Sequence, residues 1–560
     1  MKLTNLRIEN FRGIDALALD FGDTTVLIGE NNCGKTTVLA AIQIALFELR
    51  STRSNAFELY DFRLESPTSE PSSAKPIVFT LTLDEGTAGS WPNVTTRRLN
   101  AAKILQAHPQ SGAGKVILRI TATCDSAHEI KTDIAFLDLS GAALSFNDGQ
   151  LSALQAEVSC FYLSALRDAG KHFDPKGPFW RAFLKGSALS KDAKAEIDQK
   201  LQEVNQLIVA SHKSFADVVT GLKSVQDVVP MGPGETVSVE AVPGRVFDML
   251  SKAQVHLGTP AGARIPVVHH GEGTQSLAVL MLFKAFLQVR TGGAPLLALE
   301  EPEAHLHPSA VRSLWKVVQS IPGQKIVSTH SGDILSEVPA HEVIRLARSG
   351  GSIVASRLTA GSLQPKHTRQ FNFHIRQSRG ELLFARCWIL VEGESECVVL
   401  PAAATAAGVD LHRLGIRCVP YRQADISLYI AVARALGIQW CVFPDSDHPQ
   451  GTRDQQTVRD AFGGTAPVDV LHTMPQADLE QFLCANGFGA IYAGFLTPQT
   501  RARVTAAPGD PAYWPQVTKA VKDHKTAAAN DVADELLQKT SPVPPLILTL
   551  LKAAERLAAA

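Results

Sequence analysis

Apolar and polar residues alternate along the stretch "LTNLRIENF", which predicts a strand with one buried face. A second strand, "DTTVLIG", runs into the loop "ENNCGKT" and then into the apolar helix "TVLAAIQIALFEL". Alternation returns in "KPIVFTLTLDEG" and "GKVILRITATC", each bounded by turn residues, so residues 1–164 read as strand-rich with a helix behind the loop. From about 165 the period lengthens. Ile197, Leu201, Val204 and Ile208 recur at steps of four, three and four, the spacing of one helical face. Such a stripe either packs into a core or seals against a second copy, and residues 165–230 are expected as a helical insert that serves in dimerisation.

Strands and helices alternate again over 231–370, in "HHGEGTQSLAVLMLFKAFLQV", "APLLALEEPEAHLHP" and "KIVSTHS". The Gly-, Ser- and basic-rich stretch "SGGSIVASRLTAGSLQPKHTRQ" reads as a connection near 350–380. A second α/β unit, 380–495, begins at "CWILVEGESE" and includes "IQWCVFPDSD", and an Ala-rich helical region fills 496–560.

Composition narrows the class rather than the function. A chain of 560 residues is too long for one core, and 45% hydrophobic with 19% charged residues is ordinary for globular protein. A net charge of -1 leaves room for a basic groove beside an acidic site. The start "MKLTNLRIENFRGI" lacks the pattern of a signal peptide, no apolar run is long enough to cross a bilayer, and the eight cysteines form no CxxC pair. A reduced, cytoplasmic protein without membrane contact is expected.

Two constellations carry chemistry. "GENNCGKT", Gly29 to Thr36, matches the phosphate-binding pattern G-x-x-x-x-G-K-[ST] between an apolar strand and a helix. Backbone around Gly29, Asn31, Asn32 and Gly34 is expected to wrap the phosphates of ATP. Lys35 would then reach the β/γ oxygens, and Thr36, with Thr37 beside it, would hold Mg2+. The strand of "LLALEEPEAHLHP" ends in Glu300, suited to the metal, and Glu301, suited to the attacking water. His330 in "IVSTHS" stands where a γ-phosphate sensor would, and "GEGTQS", Gly271 to Ser276, opens a helix whose N-terminus suits an anion. In this order the motifs, preceded by "IENFRGI", resemble the ABC-type ATPases of the SMC and RecF kind. That resemblance implies a homodimer whose subunits complete each other's nucleotide sites, although "GEGTQS" departs from the family's Ser-Gly-Gly signature.

The second constellation sets carboxylates at strand ends: Glu392 in "WILVEGESE", then Asp445 and Asp447 in "WCVFPDSD". Strand C-termini of an open parallel sheet converge on one crevice, and like charges gathered there repel unless a cation offsets them. Oxygen-rich clusters of this kind suit Mg2+ or Mn2+. Glu396, one turn beyond Glu392, can reach back from the following helix, whereas Glu394 is read as solvated. Strand, "EG", helix, strand, "DxD" resembles the Toprim fold of topoisomerases, primases and some nucleases. Two ions are then implied, with Glu392, Asp445 and Asp447 as principal ligands and Glu396 and Glu480 supporting the second. Glu480 by itself reads equally as a surface acid.

An ABC-type ATPase followed by a Toprim domain resembles, over nearly the whole chain, the OLD (overcoming lysogenization defect) family. The resemblance implies a dimeric ATPase coupled to a metal-dependent DNA endonuclease, serving phage defence or DNA repair, in some members beside a separate helicase. It also implies a catalytic Lys, matched by Lys525 in "DHKTAAANDVADEL"; the other reading is a solvated Lys at a helix start. The segment "KHTRQFNFHIRQSR" interleaves Lys366, Arg369, Arg376 and Arg379 with Phe371 and Phe373, and either grips DNA or is a solvated linker. Arg413, Arg417 and Arg422 add positive charge near the carboxylates. A topoisomerase would need a tyrosine on a gate domain and a primase a zinc module, and neither is visible. The rival of another class is an SMC/RecF-like DNA-tethering ATPase whose Toprim unit binds DNA without cutting; the missing heptad arm and the full set of acids count against it. The expected fold is α/β: an ABC-type P-loop ATPase with a helical insert, then a Toprim (Rossmann-like) domain and a helical C-terminal region.

Overall fold

The alternation at the N-terminus becomes an antiparallel sheet. Strands β1 (Lys2–Phe11) and β2 (Ile14–Asp20) form a hairpin. After the parallel strand β3 (Thr24–Ile28), the sheet is extended by β4 (Ile77–Asp84), β5 (Gly114–Cys124) and β6 (Ile130–Leu137), in the order β2-β1-β4-β5, with β6 also on β5. One face of every strand is apolar and buried, as in Leu6, Ile8, Phe79, Leu81, Leu118 and Ile120. The computed structural model describes residues 1–53, 56–66, 68–163, 190–211, 256–257, 265–266, 269–289, 294–304, 306–359, 361–377, 380–422, 424–447 and 449–559.

A second sheet carries the phosphate loop. It contains β7 (Val158–Leu163), β8 (Ala294–Glu300), β9 (Gln324–Ser328), β10 (Val343–Ser349) and β11 (Ser352–Arg357), in the order β11-β10-β3-β9-β8-β7. Strands β10, β3, β9 and β8 run parallel, so their C-termini share one edge. The side chain of Gln324 ties the two sheets together, accepting from Leu3 N at 2.8 Å and donating to Leu3 O at 2.7 Å and Gly22 O at 2.9 Å.

The sequence reading of 350–380 as a plain connection is corrected here. "SGGS" is the two-residue hairpin turn between β10 and β11, with Gly350 and Gly351 both at positive φ, and Pro365–Gln370 is a helix. Its glycines and serines mark the tip of a hairpin rather than a linker.

The third sheet is parallel and three-stranded, β13 (Ile416–Pro420), β12 (Cys387–Val391) and β14 (Gln439–Phe443), in that order. Val391 is level with both Pro420 and Phe443, so the residues that follow the three strands emerge side by side. Helices 394–406, 525–537 and 545–559 share its core, with Val399, Leu400, Val532 and Leu551 buried. The C-terminal region is helical, as expected, and its helices 525–537 and 545–559 belong to the core of this sheet.

By their contacts the residues fall into two compact units: Met1–Tyr162, Leu296–Glu300 and Gln324–Ala560 in one, Leu163–Pro295 and Glu301–Gly323 in the other. The first holds the three sheets above apart from Leu163 and Ala294–Pro295 at two strand ends, and the second holds a two-stranded antiparallel pair, His256–Leu257 with Ile265–Pro266. Within the first the Arg345 side chain of β10, 3% exposed, donates to the carbonyls of Ala385, Leu436 and Gly437, which flank β12 and β14. In the second unit the helix Glu272–Val289 packs on Pro308–Ser320, burying Val279, Phe283, Leu314 and Trp315. The helix Lys191–Ser211 carries the expected stripe, of which Leu201 is buried and Val204 is exposed; the rest of 165–230 lies outside the described residues. No described helix is long and apolar enough to cross a membrane.

Candidate active site: a phosphate loop and a carboxylate cavity

The loop after β3 is shaped by two glycines and a left-handed asparagine. Gly29 has φ 142°, and a Cβ there would stand 2.1 Å from Leu346 O; Gly34 has φ 93° and Asn32 φ 62°. Only glycine fits the first position, because the neighbouring backbone passes through the space a side chain needs. Lys35 opens the helix Lys35–Gln43, and its Nζ donates to Gly29 O at 2.8 Å and Glu30 O at 2.7 Å. Thr36 donates to Glu300 Oε1 at 2.5 Å, which brings the loop hydroxyl to the acid that ends β8. Tyr162 of β7 donates to the other oxygen of Glu300 at 2.6 Å; burial, then the Glu300 bond, holds its phenol protonated. His330 follows β9, between β3 and β8, is exposed, and stacks at 6.1 Å on Phe384. Glu301, in the second unit, sits in left-handed backbone at φ 42°. Asn31 and Thr37 lie at the expected loop and helix positions.

Glu30 was not singled out in the sequence. Its carboxylate takes a bidentate grip from Arg386, Nε to Oε1 at 2.6 Å and Nη2 to Oε2 at 2.5 Å, and Arg386 immediately precedes β12. The phosphate loop and the third sheet are therefore joined by one ion pair.

A cavity of about 460 Å³ opens at the C-terminal edge of that sheet, lined by Glu392, Glu394, Glu396, Asp445, Glu480 and Lys525 among others. The acids are not equivalent. Glu396 accepts from the Gly393 N–H at 3.1 Å, the reach-back of a helix-capping glutamate, while burial pushes its carboxyl up to about 7. Glu480, 4% exposed, accepts from Lys525 Nζ at 2.8 Å. Glu392 Oε2 and Asp445 Oδ1 are buried without a hydrogen-bond partner. Burial, with the charges of Glu392 and Glu396 close by, holds the Asp445 carboxyl far above the ordinary range. Two carboxyl groups that line one cavity and keep buried oxygens without a partner are what a divalent cation satisfies. Among the described residues, no three His, Cys, Asp or Glu side chains already stand together as an ion's full set of ligands. The bonds from Gly393 and Lys525 account for how Glu396 and Glu480 are held.

Other expectations are redistributed. Asp447 is exposed, lies outside the cavity lining, and accepts from Gly451 N at 3.2 Å at the start of helix Gln450–Asp460. A Cβ on Gly451 would stand 2.3 Å from Asp445 O, so the tight turn after "FPDSD" depends on that glycine. Arg422 and Lys522 line the cavity, whereas Arg417 is the second residue of β13, at the end away from it, and bonds His412. Arg413 precedes that strand. Lys366 and Arg369 are exposed on their helix; the Arg376 side chain and Arg379 lie outside the described residues. Phe371 is buried and cannot stack on a base, but Phe373 and His374 line the cavity.

A phosphate loop on one parallel sheet and an acid cavity on another define an ABC-type ATPase joined to a Toprim domain. The chain belongs to the family described as "Protein of unknown function (DUF2813)", whose profile matches residues 1–381, and within the OLD proteins: "Overcoming lysogenization defect protein-like, TOPRIM domain" matches residues 383–447. It is 27% identical to the uncharacterized protein YbjD of Escherichia coli K12, over 88% of each chain. It is 24% identical to a protein named OLD nuclease of Thermus scotoductus, over 80% of this chain and 82% of that one. Endonuclease GajA of Bacillus cereus is 22% identical, over 80% and 75%.

Proposed function

We propose that the protein is an ATP-binding, divalent-metal-dependent DNA endonuclease that acts as a homodimer in the cytoplasm, in phage defence or DNA repair. The observation that carries this reading is the pair of orphaned, buried carboxylate oxygens of Glu392 and Asp445 in a cavity shared with Lys525. Mg2+ or Mn2+ bound there supplies the charge that activates water and stabilises the leaving oxygen of a phosphodiester. Glu392 and Asp445 are the principal ligands, with Glu396 and Glu480 at hand for a second ion. Lys525, held by Glu480 and 3.9 Å from Asp478, brings a positive charge to where negative charge builds on the phosphate. Desolvation pulls its affinity for a proton down, but Glu480 and Asp478 more than restore it, so it stays cationic. At the other edge Lys35, Thr36 and Glu300 hold ATP with Mg2+, Glu301 and His330 serve its hydrolysis, and the 165–230 insert serves the dimer.

The test separates the two centres. ATP turnover and DNA cutting are measured on Lys35→Ala and Asp445→Ala. Cutting should vanish in the second while turnover survives, and turnover should vanish in the first. Cutting retained by Asp445→Ala would overturn the assignment, and no cutting by the wild type would favour the tethering ATPase.

A further inference from the structure

One wall of the carboxylate cavity does not come from the Toprim sheet. Phe373 and His374 belong to the wide-turned helix Phe371–Gln377, ahead of β12, yet they line the cavity with Glu392, Asp445 and Lys525. Phe373 is 62% exposed, so much of its ring stands open to the cavity mouth. His374 meets it edge-on, with ring centroids 5.0 Å apart.

Phe371, two residues earlier, is 1% exposed and lines a small apolar recess with Leu335, Val343, Leu358, Leu383 and Leu436. Two steps along a helix this wide carry a side chain round by roughly half a turn. The first ring therefore anchors the segment and the second is presented on the opposite side. Arg422 and Lys522, both exposed, stand on the same rim. An anchored apolar ring face, two cations and an acid cluster meet at one mouth.

We propose that Phe373 stacks on an unpaired nucleobase beside the phosphate held at the carboxylates, while Arg422 and Lys522 grip flanking phosphates. The preferred substrate is then DNA with an unpaired base at the cut, in a single strand, flap or bubble. In intact duplex both faces of each base are covered by its neighbours, so the ring has nothing to stack on. A splayed base offers a bare face, and the cations supply the sequence-independent grip. The inference rests on the DNA-cutting reading above, and its test reads binding apart from cutting.

A single-stranded oligonucleotide carrying 2-aminopurine, and the duplex of the same sequence, are titrated with full-length protein in Ca2+. Phe373→Ala and Phe373→Trp are run alongside. The wild type and Phe373→Trp should bind the single strand with a quench of 2-aminopurine. Phe373→Ala should lose the quench and lower the single-strand-to-duplex affinity ratio by about 5- to 100-fold. An unchanged ratio, a quench that persists in Phe373→Ala, or no single-strand binding by the wild type overturns the proposal. If quench and ratio behave as expected but Mg2+ or Mn2+ yields no cutting, stacking stands and the nuclease reading falls. If DNA is cut and Phe373→Ala changes neither ratio nor quench, the nuclease reading stands and stacking falls.

Discussion

The phosphate loop and the carboxylate cavity both sit at the C-terminal edge of a parallel sheet, yet they manage charge in opposite ways. In the loop every key charge is tied to the protein: Lys35 to two carbonyls, Glu300 to Thr36 and Tyr162, Glu30 to Arg386. In the cavity Glu392 and Asp445 keep buried oxygens unbonded, while Glu396 and Glu480 are braced. The first arrangement is already satisfied by the protein, and on the function proposed above a bound nucleotide would draw Lys35 from its carbonyls. The second is electrostatically costly as it stands, and it gains most from a cation.

The sharpest way to break the contrast is Asp445→Ala, expected to take DNA cutting to background while ATP turnover continues. Lys525→Ala should slow cutting by about 100- to 1,000-fold, the usual cost of removing one charge-stabilising group, with metal affinity read separately by calorimetry. Tyr162→Phe removes a hydrogen bond to the Glu300 carboxylate and should weaken Mg-ATP binding by about tenfold, measured by nucleotide titration.

Proton linkage gives a fourth test. Because the Glu396 carboxyl is raised from 4.5 to about 7, the folded chain keeps a proton that the unfolded chain has lost. Its contribution to stability therefore falls as pH rises through that window. A cation must displace the same proton, so Mn2+ affinity should rise several-fold between pH 6 and pH 8, and protein-bound Mn2+ followed by electron paramagnetic resonance would show it. The smallest stability effect is expected from Arg386→Ala. Its bridge to Glu30 is half exposed and worth about 0–1 kcal/mol. The variant should nonetheless change how strongly ATP alters the cutting rate, because the pair joins the loop to β12. An ATP response identical to wild type would break that link.

What the sequence made legible follows from the range of the interactions. "GENNCGKT" is contiguous, and its strand-loop-helix context is local, so its place in the fold could be read directly. The acidic strand ends could be read too, because parallel strands bring their C-termini level. The bonds that make the sites work are not local: Tyr162 meets Glu300 across 138 residues and Arg386 meets Glu30 across 356. Nor does spacing reveal which acid is already employed. Glu396 is a helix cap as well as a cavity acid, and Asp447 braces the turn into the next helix. Phe371 and Phe373 look alike in sequence, but the helical turn buries one and presents the other.

The most direct measurement incubates supercoiled plasmid with the purified protein in Mn2+ or Mg2+, with and without ATP, beside EDTA and Glu392→Gln. Metal-dependent nicking or linearisation that is lost with EDTA and in Glu392→Gln is the predicted result. Plasmid left intact in every lane, or cutting that survives Glu392→Gln, would contradict the assignment of the orphaned carboxylates as the metal-binding centre of a nuclease.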